Sequence, residues 1–122
     1  MTDYERLGGA DGVRAIVTEF VEQVHADFII GFFFEGRDRE RILTHEIEHA
    51  SRVLGGDVAY TGRPVAQVHP PLRINRGHFQ RRLAILRTVL SRRGVDAGIV
   101  DRWLAAEAQF ESVVTDGTEC VD

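Results

Sequence analysis

His69 is followed by Pro70 and Pro71, and a ring held in so stiff a segment can present a nitrogen lone pair to a metal from a fixed direction. Gly55-Gly56, after Leu54, and Tyr60-Thr61-Gly62 precede it, and His78-Phe79 follows nine residues on. A second set lies upstream. His45-Glu46-Ile47-Glu48-His49 fits H-E-x-x-H, in which two imidazoles four apart share one helix face and a carboxyl between them serves as base for a zinc-held water. Metal ligation by His69 and zinc hydrolysis by His45, Glu46 and His49 are therefore the chemistries to weigh.

Composition narrows the setting. With 122 residues the chain is one domain able to bury roughly two thirds of its unfolded surface. Hydrophobic residues make up 43% and charged residues 28%, ordinary for a globular protein. No apolar run approaches the roughly 18 residues of a membrane span, and the start lacks a basic stretch leading into an apolar one. Cys120 is the only cysteine, so no disulfide framework or thiolate cluster can form within one chain. A cytoplasmic monomer or weak dimer is expected, with Cys120 as a reduced thiol.

All 15 basic residues are arginine, and Arg76, Arg81, Arg82, Arg87, Arg92 and Arg93 crowd one stretch although the net charge is -4. Without interleaved aromatics for base stacking, this stretch reads as a solvated helix face, and no nucleic-acid partner is expected.

The elements that must hold these groups are helical. Val13, Ile16, Val17, Phe20, Val21 and Val24 recur at one-face helical spacing after Gly8-Gly9, with Asp11 as the expected N-cap. Phe28 to Phe34 forms a dense apolar corner, punctuated by Gly31 and Gly36, expected to drop several large side chains into a core. A second helix is predicted from Arg37 to Leu54 and carries two stripes. Leu43, Ile47, Ala50 and Leu54 make one; Ile42, Glu46, His49 and Val53 make the other, flanked by His45. The second stripe is too polar to pack against protein alone, as expected of a helix that faces a cofactor.

Gly62, Pro64, Pro70 and Pro71 keep the following stretch irregular, with room for a short helix over 65–68. A long helix is predicted from Asn75 to Gly94, burying Phe79, Leu83, Leu86, Val89 and Leu90. A last one, capped by Asp96, buries Ile99, Trp103, Ala106, Phe110 and Val113. No strand alternation occurs. The architecture is all-α, with a domain over 1–115 and a polar tail over 116–122.

Tyr4-Glu5-Arg6-Leu7-Gly8-Gly9, Phe20, Ala26-Asp27, Phe33-Phe34, Leu54-Gly55-Gly56, Tyr60-Thr61-Gly62, Val68-His69, Ile74 and His78-Phe79 together resemble a truncated haemoglobin of the first group, over about residues 4–115. That resemblance implies a two-over-two globin fold and haem b. It makes His69 the proximal iron ligand, stacks Phe34 on the haem and leaves His78 structural. Leu72, Ile74 and Phe79 are expected on the proximal wall, and Phe34, Ile42, His49 and Val53 around the distal side. The implied ligand is a diatomic gas (oxygen, nitric oxide or carbon monoxide) or a small oxidant, with a reductase as electron donor.

The pocket departs from the family pattern. Val21 stands where a tyrosine hydroxyl commonly donates to the ligand, and Ile42 and Glu46 occupy distal positions. Losing that donor removes about 1.5–3 kcal/mol of ligand stabilisation. Two residues could replace it. His45 aligns with a histidine that some relatives place on the iron as sixth ligand. Glu46, if burial keeps it protonated, could donate or act as acid and base in a haem-dependent oxidation; otherwise it pairs with an arginine such as Arg52 or Arg63. Against zinc hydrolysis stand the charged Glu48, the lack of a third ligand in a recognisable downstream motif, although His69 or a distant acid could serve, and the absence of an edge strand for a peptide. A globin that has lost its haem and acts as a regulator is the remaining alternative.

Overall fold

The apolar spacing from Val13 to Val24 forms the helix on which the others rest. In the computed structural model, which describes residues 1–59, 61 and 74–111, α1 (Asp3–Arg6) is a single turn leading into α2 (Gly9–Ala26). The corner is a short 3-10 helix over Gly31–Phe34, followed by α3 (Arg39–Val53), α4 (Arg76–Arg92) and α5 (Ala97–Ala108). No strand occurs among the described residues, and no helix there is long and apolar enough to cross a membrane. The expected helix over 65–68, Val113 and the tail lie outside the described residues.

The helices pair as α2 with α3 and α4 with α5, while α2 also packs on α4, giving the two-over-two arrangement expected. Val13, Leu86, Val89, Leu90 and Trp103 close the core at 0–2% exposure. Leu83 and Phe110, expected in it, are half-buried.

The helix ends are set locally. Asn75 caps α4 through a reciprocal box in which His78 N donates to Asn75 Oδ1 (2.8 Å) and Asn75 N donates to His78 Nδ1 (3.2 Å). His78 is thus structural. Asp96 accepts from Gly98 N and Ile99 N and caps α5 as expected. Asp11 is not the cap of α2. That helix begins earlier, behind Gly8 at φ 100°, and Asp11 sits in its first turn, where a carboxylate suits the helix dipole.

The apolar corner also differs from expectation. Asp27 Oδ2 accepts from Ile29 N and Ile30 N at 3.0 and 3.1 Å; the turn buries Ile30 and packs Phe33 and Phe34 against the core, while the other large side chains face outward. Phe28 is fully exposed, and Ile29 and Phe32 are about half exposed. Asp27 Oδ1 receives Arg81 Nη2 at 2.7 Å, tying the corner to α4.

Gly55-Gly56 ends α3 against the start of the chain. Tyr4 N donates to Leu54 O at 3.0 Å, and a Cβ on Gly56 would lie 2.8 Å from the Tyr4 ring, so only glycine admits this approach.

Candidate functional site

Asp38 caps α3 by accepting from Arg41 N, and the helix then presents Ile42, Glu46, His49 and Val53 along one face, as their spacing predicts. None of the four is fully covered; in α3 only Ala50 and Ser51 are buried. His45, on the flank of that face, is half-buried. Glu48 accepts from Thr61 N (3.0 Å) and Thr61 Oγ1 (2.9 Å), anchoring the chain that leaves the helix.

Between α2, the 3-10 corner, α3 and α4 lies a narrow slot. Phe20, Val21, Val24, Phe34 and Ile42 make it apolar, and His25, Glu46 and Arg82 add polar groups. Phe34, Ile42 and Glu46 are thus brought together as expected. Val53 lies further along the same α3 face; Ile74, half-buried, and Phe79, buried, lie at the start of α4. His69 and Leu72 lie outside the described residues.

A charged network runs from the slot into the core. Arg82 Nη2 donates to Glu46 Oε2 at 2.7 Å, and Nη1 donates to Glu107 Oε2 at 3.2 Å. Glu107, only 3% exposed, also accepts from His49 Nε2 at 3.2 Å and from Trp103 Nε1 at 3.3 Å. The Arg82 guanidinium lies 5.0 Å over the Phe20 ring, a cation–π contact. His49 meets Phe110 edge to face at 5.1 Å.

Electrostatics follow from that geometry. Burial would raise the Glu107 carboxyl, but the Arg82 charge and the His49 and Trp103 hydrogen bonds outweigh it and hold it at about 2. Burial likewise depresses the His49 imidazole, yet the hydrogen bond and charge of Glu107, with the charge of Glu46, leave it above its ordinary value. Arg82 is held charged: both carboxylates outweigh the cost of its desolvation. Glu46 pairs with an arginine, but the partner is Arg82 on the facing helix and not the expected Arg52; Arg63, the other example expected, lies outside the described residues.

Sequence reasoning missed Arg82, Glu107 and His25. The signal was present. Arg82 lies three residues after Phe79 and four before Leu86, Glu107 four after Trp103 and three before Phe110, and His25 four after Val21, all on apolar faces. A charge at such a position implies a buried partner. Arg82 therefore departs from the solvated arginine face expected of α4: its side chain is 21% exposed and doubly paired.

The half-covered face of α3, the half-buried Phe33, Phe34 and Leu83 and the apolar slot beside them form a wall of apolar surface that the protein does not close on itself. A flat apolar group such as haem fits that wall, and the ion-paired Arg82 and Glu46 bring no net charge to it. The zinc arrangement does not assemble: Glu107 engages His49, Arg82 engages Glu46, and among the described residues no three His, Cys, Asp or Glu side chains come together to hold a metal.

Comparison with known proteins bears on the same residues. The family model for bacterial-like globins matches residues 2–116. The group 1 truncated hemoglobin GlbN of Mycolicibacterium paratuberculosis is 32% identical over 114 residues, spanning 93% of this chain and 84% of that one. The crystal structure of truncated hemoglobin from Tetrahymena pyriformis in its Fe(III) form superposes with a TM-score of 0.89 at 24% identity, covering 97% of this chain and 100% of that chain. The 2/2 hemoglobin of a Synechococcus species, solved in the cyanomet state with covalently attached heme, gives 0.88 at 25% identity, covering 93% and 98%. With its helix pairs, its Gly-Gly stop against Tyr4 and its open apolar wall, the chain belongs to the bacterial-like globin family and is a truncated globin of the two-over-two type.

Proposed function

We propose that this globin binds haem b through the His69 imidazole and receives a small ligand in the slot between α2, α3 and α4, with oxygen, nitric oxide and carbon monoxide as the class. The observation that carries this reading is the α3 face, where Ile42, Glu46, His49 and Val53 stay half-covered beside a slot lined by Phe20, Val21 and Phe34. The similar structures from Tetrahymena, in an Fe(III) form, and from Synechococcus, with covalently attached heme, support it. Haem supplies, when bound, an iron with an axial position for a small ligand and a one-electron couple.

The chain's own residues would set how that ligand is held. Phe34, Ile42, Val53, Leu72, Ile74 and Phe79 would grip the apolar faces of the group. Val21 offers no donor, which argues against tight oxygen carriage and favours one-electron chemistry fed by a reductase in the cytoplasm. His45 is the proposed second imidazole. Glu46, which accepts from Arg82 Nη2 at 2.7 Å, is proposed to hold the guanidinium at the slot.

Titration of the purified protein with hemin, followed by absorption spectra of the oxidised, reduced and carbon-monoxide-treated forms, tests this. One hemin per chain is expected, with uptake lost in His69→Ala. A six-coordinate reduced spectrum abolished by His45→Ala assigns the second imidazole; a five-coordinate one removes it. Colourless protein that refuses hemin, or carries one zinc, overturns the reading.

A further inference from the structure

His25 has an unfilled hydrogen-bonding position inside the slot. It stands one turn after Val21 on α2, and its Nδ1 lies 2.9 Å from Val21 O. A carbonyl oxygen only accepts, so Nδ1 carries the proton of the neutral ring and Nε2 is left as a bare lone pair. Nε2 is sealed from solvent and, among the described residues, has no hydrogen-bond partner. The ring stacks on Phe34 with centroids 4.8 Å apart, so one slot-lining aromatic fixes the plane of the other. A buried acceptor without a donor is unfavourable and rare in a folded protein, which makes the missing donor the question.

The slot's other polar groups narrow the answer. Arg82 commits one N–H of Nη2 to Glu46 and one of Nη1 to Glu107, and Val21 has nothing to donate. A small molecule entering there meets a lone pair from His25 and an acidic oxygen from Glu46. Ligands that carry no hydrogen gain nothing from the His25 lone pair. Ligands that carry their own hydrogen find an acceptor.

We propose that His25 Nε2 is the acceptor for small protic ligands, so that the slot selects neutral molecules bearing an S–H or O–H, such as hydrogen sulfide or hydrogen peroxide, over aprotic gases. The inference rests on the haem reading and adds a class of protic ligands to the gases proposed there. The ring is a positioning group that orients the incoming molecule by its hydrogen.

Hydrogen sulfide on hemin-loaded ferric protein and carbon monoxide on the ferrous form are the paired probes, with affinities read from the shift of the main haem absorption band. His25→Leu should weaken sulfide binding tenfold or more and change carbon monoxide affinity less than twofold; His25→Gln, whose amide oxygen can accept, should recover part of the loss. Equal sulfide affinity in wild type and His25→Leu overturns the inference while leaving haem binding intact; failure to load hemin overturns both. Long-range ¹⁵N–¹H spectra of the haem-free protein provide a readout independent of ligand binding. A protonated Nδ1 and bare Nε2 are expected at His25, and a protonated Nε2 sinks the proposal.

Discussion

Arg82 Nη2 lies 2.7 Å from Glu46 Oε2, joining α4 to α3 where two apolar helix faces would otherwise meet. The same guanidinium reaches Glu107 on α5, so one side chain ties together three of the four long helices. Two carboxylates around one guanidinium carry a net charge of one negative unit, which a protonated His49 cancels. Position explains why the network persists: it bridges α3, α4 and α5 at the edge of the apolar core, beside the wall left open for a flat group.

Replacing Arg82 with Met should therefore cost more than its lost packing. Breaking a fully buried pair costs about 3–5 kcal/mol. With the Arg82 side chain 21% exposed and Glu46 27%, the expected loss is nearer ~2–3 kcal/mol. Urea unfolding measures it, and Arg82→Met with Glu107→Gln should recover much of the loss by removing the stranded buried charge. Arg82→Lys should not rescue, because an ammonium cannot span both carboxylates as the forked guanidinium does.

The sequence displayed the helices more openly than the network between them. Caps at Asn75 and Asp96 and the spacing of Val13 to Val24 are local signals, and the structure follows them. The partners of Arg82 and Glu107 lie 36 and 58 residues away at the furthest, so their pairing depends on how α3, α4 and α5 meet, which no local window contains. Their placement on apolar stripes was readable; their partners were not. The corner shows the opposite failure, since its apolar composition suggested burial while one Asp27 carboxylate turned Phe28 outward.

Gly56→Ala should destabilise the fold without touching the slot. The new Cβ would meet Tyr4 ring carbons at 2.8 and 2.9 Å and Ser51 O at 3.0 Å. Overpacking of this kind costs about 1–3 kcal/mol. Tyr4→Ala in the same chain should relieve most of the added penalty, a coupling that a double-mutant cycle in urea measures. Additive losses would show that the ring already moves aside.

Val21→Tyr should slow oxygen release from the hemin-loaded, reduced protein roughly ten- to hundredfold, the worth of one hydrogen bond to a charged ligand at about 1.5–3 kcal/mol. Val21 is 4% exposed, so the larger ring must displace slot-lining neighbours, and a loss of stability should accompany the gain. Stopped-flow release and thermal unfolding together check this. Unchanged release with lowered stability would mean the hydroxyl points away from the ligand.

The His49–Glu107 contact predicts how stability varies with pH. Arg82, Glu46 and Trp103 face the same pair from α4, α3 and α5. His49 is held above its unfolded value of 6.5 because Glu107 and Glu46 outweigh its burial. Its contribution is complete below 6.5 and is lost as pH rises through the higher folded value. Glu107 is depressed from 4.5 to about 2, so its contribution is complete above 4.5 and is lost as pH falls toward 2. Stability from this pair should therefore plateau between the two unfolded values, falling on both sides. Chemical unfolding across that range measures the curve. His49→Phe should flatten the alkaline fall and leave the acid limb, because Arg82 and Trp103 still hold the Glu107 carboxylate; an unchanged alkaline limb would place the titrating group elsewhere.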